Sequence, residues 1–162
     1  MQQLSRWMKA VGLFYVINGV GLTVAYLMPA AQRGMIGQVV PGADTVDPLV
    51  SYAMDIWLMF ALEMFVIGGF LLVGSRDAWA NRILVFTVLG LELIRGILDD
   101  LIWIASGYPA GFYLWWIAVH GLIIATGVLA LRRAYAVYRG DALVPGTGDP
   151  DRIQAASSER SG

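Results

Sequence analysis

The residues best equipped for chemistry in this chain lie inside its most apolar stretches. Asp55 and Glu63 fall in one apolar block and Glu92, Arg95, Asp99 and Asp100 in the next. Asn18 lies in the first block, and His120, the only histidine, in the last. A charge at the centre of a membrane-spanning helix costs ~2.5–3.5 kcal/mol on insertion scales, so Glu63, Glu92, Arg95 and Asp99 would together cost ~10–14 kcal/mol if unpaired. They are expected to face a bundle interior. Glu92, Arg95 and Asp99 stand at i, i+3 and i+7, one face of an α-helix, which puts Arg95 between two carboxylates and able to pair with either. Asp100 is turned about 100° from Asp99, toward a neighbouring helix or the outer rim.

Four acids (Glu63, Glu92, Asp99, Asp100) face one arginine and one histidine. Not all the acids are expected to be ionised. A carboxylic acid kept neutral in an apolar pocket donates a proton at neutral pH, and an ionised neighbour can serve as base. Glu63 and Glu92 are the expected acid/base pair. Arg95 would set their protonation, Asp99 would hold Arg95, and His120 would assist at the cavity mouth. Asn18, Asp55, Trp57, Asp100 and Trp103 are the expected contacts to a substrate. A plainer reading stands beside this one: Arg95 with Glu92 and Asp99 as a salt-bridged clamp, His120 and Asn18 as interhelical hydrogen-bonding groups, and Asp55 as a solvated boundary residue.

Several chemistries have no residues to carry them. The chain lacks cysteine, which removes disulfides, thiolate nucleophiles and iron–sulfur clusters. One histidine and no Glu-x-x-His pair do not build a transition-metal cage, and no glycine-rich phosphate cradle is present. No metal and no cofactor are expected. A net charge of −1 gives no basic face for nucleic acid.

These residues need rigid elements to hold them, and composition says which kind. Apolar residues make up 58% of the 162 residues and charged residues 14%, against about 25% charged in soluble domains. The apolar residues come in four long blocks, each reaching the ~20 residues of a membrane span: about 7–28, 49–74, 81–105 and 112–134. The expected fold is all-α, a polytopic membrane protein built as an antiparallel bundle of four transmembrane helices over residues 1–139. The polar segment 140–162 is expected to be a disordered tail. Asp47-Pro48 reads as a helix start, Ser75 or Asp77 as a cap, and Ser106–Gly111 as a tight turn. The segment Ala30–Asp47 is the one long connection, a surface loop or a lid. The first block exceeds a signal-peptide core and is read as a retained span.

At 1.5 Å per residue, Glu63 and Glu92 lie ~18–20 Å from the outer boundary, Arg95 ~15 Å, His120 ~12 Å, Asp99 ~9 Å and Asp55 ~6 Å. The polar groups therefore form a deep tier (Asn18, Glu63, Glu92, Arg95) and an outer tier (Asp55, Asp99, Asp100, His120). Basic residues set the orientation. Arg6, Lys9, Arg76, Arg82, Arg132, Arg133 and Arg139 fall on one side and Arg33 alone on the other, which places both termini in the cytoplasm. Trp7 and Trp79 are expected at the inner boundary, and Trp57, Trp103, Trp115 and Trp116 toward the outer one. The glycines Gly12, Gly19, Gly68, Gly96, Gly121 and Gly127 are expected to permit close helix packing.

The opening Leu4-Ser5-Arg6-Trp7-Met8-Lys9-Ala10-Val11-Gly12-Leu13-Phe14-Tyr15, followed by Asn18-Gly19, resembles the start of the BphX-like family, small four-span bacterial membrane proteins named from biphenyl-degradation operons. The resemblance extends to about Arg133 through the spacing of the spans and the charged third helix. It implies a link to hydrophobic or aromatic metabolites and assigns no residue. The expected partners are the lipid bilayer and a hydrophobic small molecule, and a homo-oligomer is left open. The expected function is an intramembrane polar cavity binding a lipophilic molecule, with isomerisation, cyclisation or epoxide opening as the candidate chemistry. The alternatives are an accessory or carrier passing a solute or protons, and a structural subunit.

Overall fold

A computed structural model describes residues 1–28, 30–32, 34 and 48–143 of the chain. The expectations for the connection 30–47 and for most of the tail fall outside the described residues. Helix α1 spans Gln2–Leu27 and α2 spans Pro48–Gly74. A 3₁₀ turn, Ser75–Asp77, leads into a third rod made of three parts: α3 (Arg82–Leu91), a π-helical segment (Glu92–Leu98) and α4 (Asp99–Ala105). Helix α5 runs Ala110–Leu143, so the first residues of the expected tail are helical. No strand occurs among the described residues.

The two short connections explain themselves locally. At the first, the Asp77 side chain accepts the backbone N–H of Ala80 at 3.1 Å, satisfying a donor that would otherwise be orphaned. At the second, the rod ends in a Schellman motif. Gly107 takes φ +92°, Gly107 N–H reaches Ile104 O at 3.0 Å, and Tyr108 N–H reaches Trp103 O at 3.1 Å. The apolar contact that accompanies such caps is Trp103 edge-on to Tyr108, with ring centroids 4.6 Å apart.

Helices α1 and α2 pack backbone to backbone. A Cβ on Gly12 would lie 2.9 Å from Gly68 O, and one on Gly19 2.6 Å from Ala61 O. Later residues of α1 meet earlier ones of α2, so the pair is antiparallel. Small residues at the crossing let dispersion replace the hydrophobic driving force that lipid removes. Gly127 likewise sits against Leu89 and Trp7, whereas nothing lies within 4 Å of a Cβ on Gly121.

The outside of the bundle is greasy. Leu13, Ile17, Val20 and Val24 form an exposed stripe on α1, and Met59, Phe70, Ile83, Leu122 and Leu129 are exposed on the others. α1, α2 (from Met54) and α5 (to Gly140) are long and apolar enough to cross a membrane. The third rod covers a similar length from Arg82 to Ala105 but carries five charged residues. This is an all-α polytopic bundle whose lipid-facing surface is apolar.

The core is concentrated at one end. Leu4, Met8 and Val11 of α1, Leu71 of α2, Val85 and Val88 of α3, and Ala130, Leu131 and Ala134 of α5 are buried together. Polar ties close that end: Ser5 Oγ donates to Ser75 O at 2.7 Å, and Arg133 donates to Gln3 at 2.8 Å. Trp79 stacks on Tyr138 at 4.6 Å and meets Tyr135 edge-on at 4.8 Å, with Arg82 over its ring. Trp7, expected at the inner boundary, is buried in this core, and its indole N–H donates to Thr126 at 3.1 Å, the partner a buried indole requires. Away from this base, α2 stays close to α1 but draws away from the later parts of the third rod.

Candidate functional site

Where α2 and the third rod separate, the bundle is hollow. A cavity of about 350 Å³ opens there, with walls from all four helical rods. Its walls are mainly aromatic and aliphatic: Phe14 and Leu22 of α1, Trp57 and Phe60 of α2, Trp103 of α4, and Phe112, Tyr113 and Trp116 of α5. Set into this apolar wall are Asn18, Glu63, Glu92, Arg95, Asp99, Asp100 and His120.

The π segment positions the deepest of these. Its i→i+5 bonding widens the turn and winds the chain more slowly than an α-helix. Glu92, 3% exposed, is one of two buried polar residues in the described chain. Both its oxygens are engaged: the Tyr15 hydroxyl donates to Oε1, and His120 Nδ1 meets Oε2. Gly96 makes that second contact feasible, because the His120 ring lies over its Cα and a Cβ there would sit 2.5 Å from His120 Cγ. His120 Nε2 is 3.8 Å from Asp100 Oδ2, so the ring stands between two carboxylates.

Arg95 does not pair within its own rod as α-helical spacing predicts. Its guanidinium forms an ion pair with Glu63 of α2 and lies over the Phe60 ring at 4.9 Å. The wider π turn rotates Arg95 off the Glu92–Asp99 line, and the carboxylate it meets is on α2. Glu63 and Glu92 both border the cavity, but each has its own partner: arginine for Glu63, tyrosine and histidine for Glu92. Asp99 has no hydrogen bond or ion pair among the described residues, and Asp100 Oδ2 is buried without a hydrogen-bond donor.

The remaining expected contacts divide. Trp57 and Trp103 line the cavity. Asn18 lines it too, with its amide donating back to Phe14 O at 2.8 Å. Asp55 stands apart from the cavity wall and accepts the Tyr26 hydroxyl at 2.6 Å. Two residues escape the sequence reading. Tyr15 had a legible signal, since it lies one turn from Asn18 on the same face and at the depth of Glu92. Phe60 had none, because its role depends on where the neighbouring helix sends Arg95. Gly96, expected to permit close packing, does so under the His120 ring.

Among the described residues, no three His, Asp or Glu side chains converge as a metal ion would need. What the arrangement offers is proton chemistry. A carboxylate on Nδ1 fixes the imidazole's orientation and tautomer and leaves Nε2 as the working nitrogen.

An apolar exterior with a hydrogen-bonded polar cluster among its spans defines a polytopic all-α membrane protein. The chain belongs to the BphX-like family, whose model matches residues 1–136. It is similar to an uncharacterized BphX-like protein of Burkholderia cepacia, 28% identical over 136 residues that cover 82% of this chain and 93% of the relative. A second such protein, from Paraburkholderia xenovorans (strain LB400), matches with the same identity and coverage. No solved structure matches the chain.

Proposed function

We propose that this membrane protein admits a lipophilic small molecule from the bilayer into the cavity between α2 and the third rod, and does acid/base chemistry on it. The observation that carries this reading is Glu92. A carboxyl buried at 3% exposure and held by a phenol and an imidazole is expensive to place in a membrane span, and such groups mark function by default. In this reading His120 Nε2 takes or gives the proton, Glu92 sets the imidazole's tautomer, and Tyr15 holds Glu92. Glu63, tied to Arg95, serves the wall rather than the reaction. Isomerisation, cyclisation and epoxide opening are the reaction types such a pair supports. The protein would sit in the bacterial cytoplasmic membrane with both termini inside, as the basic residues direct.

The test is a comparison of small molecules recovered from membranes of cells expressing wild type, Glu92→Gln, His120→Gln and Tyr15→Phe. A product present with wild type, absent with His120→Gln and reduced with Tyr15→Phe is the expected result. Identical profiles for all four would sink the enzyme reading. A carrier is the second reading, favoured by the file Tyr15–Glu92–His120–Asp100, which links α1, the π segment, α5 and α4. Proteoliposomes showing proton or solute flux that depends on Glu92, with no chemical change in the solute, would favour it.

A further inference from the structure

The charges around the cavity do not balance, and the imbalance has a location. Glu63 is ion-paired with Arg95, and both oxygens of Glu92 are engaged by Tyr15 and His120. Two carboxylates on the first turn of α4 remain. Asp99 has no hydrogen-bond or ion-pair partner among the described residues, and Asp100 has only His120 Nε2 at 3.8 Å, with its Oδ2 buried and without a donor. Both line the cavity.

The walls beside them are aromatic. Trp103 lies one turn beyond Asp99 and Asp100 on the same rod, and Tyr113 is parallel to it with centroids 6.4 Å apart. Trp57 faces in from α2 and Trp116 from α5. The face of such a ring is negative and attracts a cation, most strongly for tryptophan. One ring of the cavity already does this, since Arg95 lies over Phe60 at 4.9 Å.

We infer that the outer half of the cavity binds a lipophilic organic cation, an ammonium group on an aromatic or branched alkyl body, with its charge beside Asp99 and Asp100 and its body against Trp57, Trp103 and Trp116. The inference rests on the reading of the cavity as a site for lipophilic molecules and adds the sign of the ligand's charge. An anion would meet two surplus carboxylates, and Arg95, the one arginine of the wall, is already engaged by Glu63. A neutral molecule would offer neither carboxylate a counter-charge. A bare metal ion would need a third donor, and among the described residues none converges with these two. A bulky ammonium needs no close ligand shell and is satisfied by diffuse negative charge and ring faces.

The test uses three probes of nearly one shape: phenyltrimethylammonium, its neutral isostere tert-butylbenzene, and benzenesulfonate. Binding to the full-length protein in detergent is measured by equilibrium dialysis against empty micelles. The expected order is cation, neutral, anion, with the cation held about tenfold or more tighter than the neutral probe, and Asp99→Asn and Asp100→Asn each weakening the cation about tenfold. Elution profile and helix content identify a misfolded variant, in which case the wild-type order decides alone. If the neutral probe binds as well as the cation or better, the inference fails while the lipophilic cavity stands. If no probe exceeds its partition into empty micelles, the reading of the cavity fails as well.

Discussion

Glu92 has a phenol on one oxygen and an imidazole on the other, and each of the three groups depends on the other two. A buried polar group left unsatisfied costs about 1–3 kcal/mol, so loss of one member strands its neighbours. The least obvious member is Gly96, which has no polar atom in its side chain and makes no bond to the cluster through one. It contributes the space that the His120 ring fills. Gly96→Ala would place a Cβ 2.5 Å from His120 Cγ, and overpacking of this kind costs about 1–3 kcal/mol. The expected outcome is a lower unfolding temperature in detergent together with a shifted His120 ring signal by NMR. An unfolding temperature that rises, as helix propensity alone would have it, would contradict this packing.

At the scale of elements, the π segment and the α1–α2 crossing decide which side chains meet. Composition reveals the third rod as a helix, but not that its middle turn is wide. The i, i+3, i+7 spacing of Glu92, Arg95 and Asp99 therefore predicts one shared face, but the structure gives Glu92 partners on α1 and α5, Arg95 a partner on α2, and Asp99 none among the described residues. Nothing in the sequence Glu92–Leu98 separates π from α winding, and Gly96 within that segment lies under the His120 ring. The α1–α2 crossing offers a matched pair of substitutions on one helix. Gly19→Ala drives a Cβ to 2.6 Å from Ala61 O, while nothing lies within 4 Å of a Cβ on Gly21. Gly21→Ala is expected to be neutral or to stabilise by up to about 1 kcal/mol through helix propensity. Gly19→Ala should lower the unfolding temperature because the two backbones are forced apart. Equal effects at the two positions would mean that the crossing does not depend on Gly19.

Taken whole, the molecule is close-packed at the end that holds the described terminus and the Ser75–Asn81 turn, and hollow at the other. That division lets one end carry stability while the other stays open, as the proposed binding of a lipophilic molecule requires. It is also aligned with the asymmetry of basic residues. The absence of cysteine from the chain makes the orientation measurable without background. Gln3→Cys and Asp77→Cys are expected to resist a membrane-impermeant maleimide in intact cells and to react after permeabilisation. Ser106→Cys should react in intact cells. The reverse pattern would invert the proposed topology and turn the cavity toward the cytoplasm.

The sequence by itself determined that the chain is an all-α membrane bundle, because lipid demands long apolar helices and that demand is written residue by residue in composition. It also determined that Glu63, Glu92, Arg95, Asp99, Asp100 and His120 would be drawn inward, because charge in lipid is costly wherever it stands. Only the tertiary structure decided who pairs with whom. Pairing depends on helix rotation, and one wide turn changes the rotation of everything beyond it. It brought Tyr15 to Glu92, sent Arg95 across to Glu63, and left Asp99 and Asp100 as the surplus charge of the cavity.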